Sequence, residues 1–85
     1  MKYTVVISRA SQKVINRLDG DMHSRIIRKL ETIEDNPRPV GIEKLAGPDN
    51  LYRVRVGDWR IVYAIQDRNL VVLVVKVAHR REVYR

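Results

Sequence analysis

Two β-rich runs on either side of a Gly-Asp pair constrain the fold of this chain most: Leu51-Tyr52-Arg53-Val54-Arg55-Val56, then Gly57-Asp58, then Trp59-Arg60-Ile61-Val62-Tyr63-Ala64-Ile65. Alternating runs around a two-residue turn of this kind predict a β-hairpin. The turn sets the register. Val56 faces Trp59, Arg55 faces Arg60, Val54 faces Ile61, Arg53 faces Val62, and Tyr52 faces Tyr63. Side chains alternate between the two faces of a strand. One face therefore carries Tyr52, Val54, Val56, Trp59, Ile61, Tyr63 and Ile65. The other carries Arg53, Arg55 and Arg60 beside Val62 and Ala64.

Like charges directly opposite on a strand pair are destabilising. Arg55 against Arg60, with Arg53 two residues along, is costly for a face that needs only solubility. An anion between the guanidinium groups removes the conflict, and arginine is suited to bidentate phosphate contacts. A solvated basic face is the other reading, because charge runs are usually exposed. The hairpin pattern leaves both open.

The balance of charge bears on that choice. Lys and Arg total 17 against 10 Asp and Glu, a formal net charge of +7, which favours a polyanion partner, RNA or DNA ahead of a membrane surface. The 85 residues predict a single domain, 1–85, with a small core. The absence of cysteine excludes disulfides and thiolate zinc sites, and His23 and His79 lie far apart in sequence. No metal and no cofactor are expected. The longest apolar run, 70–75, is too short to span a bilayer and reads as a strand, and no signal-peptide pattern precedes it. A cytoplasmic protein without a membrane partner is the expectation.

Taken in order, Lys2-Tyr3-Thr4-Val5-Val6-Ile7 predicts a first strand. Ser8 suits an N-cap, and Ala10, Val14, Ile15 and Leu18 form the apolar stripe of a helix. Asp19-Gly20-Asp21 ends it and opens a second, with Asp21 as the expected cap. Met22, Ile26, Ile27, Leu30 and Ile33 give that helix its apolar face, up to Asn36 before Pro37. The two make an αα-hairpin. Residues 40–47 read as an irregular or partly helical approach to the β-hairpin, and Pro48-Asp49-Asn50 as a turn. After the hairpin, a three-residue loop, Asp67-Arg68-Asn69, leads into a last strand over 70–77. That length sets Arg60 opposite Lys76 and turns Val71, Leu73, Val75 and Val77 to the core. A two-residue loop would instead bury Lys76. The predicted class is α+β, in the order β-α-α-β-β-β, with the two-helix hairpin on one face of a mostly antiparallel sheet. The other face carries Arg53, Arg55, Arg60, Lys76 and Arg80, with Tyr84 following.

Three stretches together resemble the RelE/ParE toxin superfamily: Asn36-Pro37-Arg38-Pro39, Lys44-Leu45-Ala46-Gly47, and the hairpin from Leu51 to Tyr63. The ending His79-Arg80-Arg81-Glu82-Val83-Tyr84 is similar to the RelE branch. The resemblance covers essentially the whole chain. It implies a small toxin paired with a cognate antitoxin in a type II system. RelE-like members cut mRNA in the ribosomal A site. The ParE branch acts on DNA gyrase.

The resemblance further implies a catalytic set of Arg53 and Arg55 before the turn, Arg60 after it, Arg80 at the end of the last strand, and Tyr84. Lys44, Lys76 and Arg81 are the expected further RNA contacts, and operator DNA would be met only through the antitoxin. Some members carry lysines where this chain has Arg53 and Arg55. Arginine can hold a phosphate but is a poor general base. Histidine is the residue type suited to taking a proton near neutral pH, and His79 is the one nearby. The strand pairing turns His79 toward the core side, so a strand-end surface residue is the other reading of it. The reaction implied is attack of an RNA 2′-hydroxyl on the adjacent phosphate, leaving a 2′,3′-cyclic phosphate and a 5′-hydroxyl. A gyrase poison, or a non-catalytic member that binds antitoxin and nucleic acid, are the alternatives.

Overall fold

In the computed structural model, residues 2–47 and 50–83 are described. The elements run β1 (Thr4–Ile7), α1 (Arg9–Arg17), α2 (Gly20–Asp35), β2 (Glu43–Lys44), β3 (Leu51–Val56), β4 (Trp59–Gln66), a 3-10 turn (Asp67–Asn69), β5 (Val71–His79) and α3 (Arg80–Val83). The five strands form one sheet in the order β1-β5-β4-β3-β2. β1 runs parallel to β5, and every other neighbouring pair is antiparallel. The α+β arrangement with a two-helix layer on one sheet face is the one predicted.

The hairpin of β3 and β4 has the predicted register throughout, from Tyr52 opposite Tyr63 to Val56 opposite Trp59. Gly57 takes φ +58° while Asp58 stays at negative φ, the pattern of a type II′ turn. Its apolar face joins Ile15 of α1 and Ile26, Leu30 and Ile33 of α2 in the core. Ser8 caps α1 as expected, its hydroxyl accepting from the Ser11 N–H at 3.2 Å. At α2 the N-cap is Asp19, not Asp21. Asp21 sits inside the first turn, where its charge still favours the helix dipole.

Two further expectations are corrected. Residues 43–44 are a short edge strand, since the backbone of Glu43 and Lys44 pairs with Arg53 and Tyr52. The loop before β5 has four residues, 67–70, because Leu70 closes the 3-10 turn in the left-handed region at φ 54°. Gln66 thus faces Val71, and Val72 and Val74 enter the core in place of Val71 and Leu73. An irregularity between Val62 and Tyr63 on one side skips Val75 on the other, and Val75 is left exposed. This bulge restores the parity. Val77 is in the core as predicted, and Lys76 is on the arginine face. Lys76 lies opposite Val62, however, and Arg60 faces Ala78.

A polar latch ties the end of the sheet remote from the hairpin turn. Arg38 donates two hydrogen bonds to the Asp67 carboxylate, at 3.1 and 2.9 Å, and Tyr3 donates a third at 2.8 Å. The Arg38 guanidinium also lies 5.4 Å from the centre of the Tyr52 ring, which stacks on Tyr63. Tyr63 is fully buried, and its hydroxyl donates to the Pro37 carbonyl at 2.8 Å. The β1 start, the Pro37–Arg38 connector and the loop before β5 are held together in this way.

Candidate nucleic-acid interface

The arginine face meets solvent at the outer edge of β3. β2 covers that edge only as far as Arg53, so the edge beyond it is open. A cavity of about 370 Å³ lies there. Arg53, Arg55 and Arg60 line it from the sheet, Gly41 and Glu43 from the approach to β2, and Lys29 from α2.

Each arginine is held differently. Arg53 forms an ion pair with Glu43, its neighbour across the β2–β3 pair. Arg60 is 6 % exposed, and its Nη1 donates to the carbonyls of Gly57 at 3.1 Å and Trp59 at 3.0 Å. The predicted conflict between Arg55 and Arg60 is thus partly relieved inside the chain. Arg60 folds back onto turn carbonyls, whose negative dipole ends face its charge. Arg55 is exposed, with no side-chain partner among the described residues. The result is a fixed cation, a cation held by a carboxylate, and a free one around a single recess. Such an arrangement can bind a phosphodiester and stabilise charge that develops on it.

Arg80 comes close without lining the cavity. Its backbone N–H donates to the Asp58 carbonyl at 2.8 Å, and its Nε lies 4.0 Å from the Asp58 carboxylate. Arg60 and Arg80 therefore bracket the same two-residue turn. Lys76 continues the basic row one strand further in, opposite Val62. Lys44 faces Tyr52 across the sheet edge, which sends its side chain to the helix side, away from the arginines. His79 pairs with Trp59, and its ring packs edge-on against the indole at 5.7 Å between centroids. That is the core side, as the strand pairing predicted, and the arrangement does not bring His79 to the arginines. Arg81, in α3, is exposed, and its N–H points to His79 Nδ1 at 3.4 Å. Tyr84 lies outside the described residues.

Sequence reasoning missed Lys29 and Glu43. Lys29 sits beside the apolar stripe of α2, and only the packing of that helix on the sheet brings it to the β3 edge. Glu43 belongs to a strand of two residues, too short to carry a period.

Comparison with known proteins identifies the family. A family profile described as the ParE toxin of the type II toxin-antitoxin system, parDE, matches residues 5–84. The chain belongs to the RelE/ParE toxin family. A Methanocaldococcus jannaschii protein named as a toxin, RelE1, is 28 % identical over 88 residues, covering 100 % of this chain and 98 % of its own. The archaeal RelE–RelB complex from Pyrococcus horikoshii OT3 contains a chain that superposes with a TM-score of 0.85 at 28 % identity, over 94 % of this chain and 97 % of that one. The isolated Escherichia coli RelE toxin gives 0.80 at 27 % identity, over 96 % and 90 %. This RelE-like toxin shares their fold over nearly its full length. Among its described residues, no helix is long and apolar enough to cross a membrane, and no group of His, Asp and Glu could hold a metal ion.

Proposed function

We propose that this toxin cuts messenger RNA on the ribosome, with the β3-edge cavity as the site of cleavage. The observation that carries the reading is the convergence of Arg53, Arg55 and Arg60 on one recess. In this mechanism Arg55 and Arg60 hold the scissile phosphate and stabilise the charge that builds on its oxygens as the 2′-hydroxyl attacks. Arg60 is positioned for this before substrate arrives, because its carbonyl contacts fix it. Arg53 supports the flanking backbone, and Arg80 extends the contact past the turn.

The proton on the attacking hydroxyl needs an acceptor. Glu43 is the carboxylate in the recess, where the other charged lining groups are cations. We assign it that role in place of His79, which packs on the opposite side of the sheet. General-base help of this kind contributes about 10²–10⁴-fold. Glu43→Gln, which retains a hydrogen-bond acceptor for Arg53, is expected to lose cleavage by that factor, and His79→Gln to change it little.

A cognate antitoxin is the expected partner, by analogy with the RelE–RelB complexes among the structural neighbours. The net charge of +7 favours an acidic partner that covers the basic face. The ParE description of the matching profile supports a second reading, a gyrase-directed toxin. Mapping message 5′ ends on ribosomes with and without expression of the chain separates the two. New ends at the A-site codon support cleavage. Gyrase-linked DNA breaks with intact messages support the alternative.

A further inference from the structure

The basic surface does not stop at the arginine cavity. On the helix side of the same β3 edge lies a second recess, of about 280 Å³. Arg25, Arg28, Lys29 and Thr32 of α2 line one wall, and Arg55 and Gly57 the other. Lys29 and Arg55 line both recesses, so the two form one furrow that wraps the edge where β2 leaves it open. Positions 25, 28, 29 and 32 are spaced i, i+3, i+4 and i+7. They share one face of α2, with neighbouring Cβ atoms about 5–6 Å apart. The side chains of Arg25, Arg28 and Lys29 have no ion-pair partner among the described residues. Arg25 is also seated. A Cβ placed on Gly57 would lie 3.2 Å from its Nη1, so the bare turn glycine leaves room for the guanidinium over the hairpin tip.

We propose that this α2 furrow is a binding track for an RNA phosphate backbone, continuous with the cavity. The inference rests on the cavity being the RNA-cutting site. The chemistry favours nucleic acid over a peptide. The wall is cationic and hydroxylated, and Val56, its apolar lining residue, is turned into the core. An amphipathic peptide docked in a groove needs apolar anchors, which this recess lacks, and an acidic peptide does not offer the one anion per residue that a phosphate backbone does. The message and ribosomal RNA present the same phosphate chemistry to such a track.

The test uses Arg25→Gln/Arg28→Gln, two exposed positions outside the cavity, against Arg9→Gln/Lys13→Gln on α1, which removes the same charge elsewhere. Affinity is measured across salt concentrations for a 2′-O-methyl RNA oligonucleotide, which cannot be cut, and for ribosomes with an empty A site. Each lost phosphate contact lowers the slope of log affinity against log salt by about 0.7 on single-stranded RNA. The α2 pair is expected to lose about 1.4 in slope, and the α1 pair much less. Loss on the oligonucleotide identifies the message, and loss on ribosomes alone identifies ribosomal RNA. Equal losses from both pairs, no loss on either RNA, or no salt-dependent binding by the parent chain overturns the proposal. Should the double variant unfold, Arg28→Gln alone is expected to lose about 0.7. Failure of the parent to cut messages, with the α2 effect intact, would overturn the cleavage reading and not the furrow.

Discussion

Arg60 shows how one side chain can serve both the hairpin and the site. Its guanidinium satisfies the Gly57 and Trp59 carbonyls and still lines the cavity. Truncation leaves those acceptors without their donor, at about 1–3 kcal/mol. Arg60→Ala is therefore expected to lower the unfolding free energy by that amount, read as a lower denaturant midpoint, as well as to abolish cleavage. The strand alternation placed Arg60 on the basic face but gave no sign of these carbonyl contacts. Arg55 is the cleaner probe because it is exposed and has no described partner. Arg55→Lys keeps the charge and loses the forked geometry, so its cleavage should fall between the parent and Arg55→Ala. At the turn, Gly57→Ala places a Cβ at φ +58° and against Arg25. A cost of about 1–2 kcal/mol in equilibrium unfolding is expected from the backbone alone.

At the scale of elements, the latch predicts a pH response. Hydrogen bonds from Arg38 and then Tyr3 pull the Asp67 carboxyl down to about 2. A depressed carboxyl contributes stability above its unfolded value and loses it as pH falls toward the folded one. Denaturant midpoints measured between pH 6 and 2 should fall through this window in the parent, and Asp67→Asn should flatten part of that fall. Burial raises the Tyr63 hydroxyl to about 12, so its contribution is present below the ordinary tyrosine value near 10 and is lost above it. Tyr63→Phe should remove part of the alkaline loss. The hairpin could be read from sequence because its turn chemistry and its alternation agree. β5 could not be read in the same way. It lies between β1 and β4, its run from Val71 to Val75 is apolar on both faces, and no alternation marks its parity. Lys76 alone carried the signal, and it gave the right face and the wrong partner. A bulge and a left-handed Leu70 are tertiary choices that local pattern does not encode.

For the molecule as a whole, the fold turns a hairpin with three arginines into a recess by ending β2 early and laying α2 along the exposed edge. The arginine set was legible because it lies on contiguous strands. Lys29 and Glu43 were not, because they reach the recess only through packing. The central claim is that this recess cuts messages on ribosomes. The most direct test is single-turnover cleavage of a ribosome-bound message, with 5′ ends mapped, by the parent chain and by Arg55→Ala at matched fold stability. The account predicts cleavage by the parent only on ribosomes, and a loss of about 10²–10³-fold in Arg55→Ala, the scale of one removed donor to developing charge. Equal rates for the two proteins would contradict it.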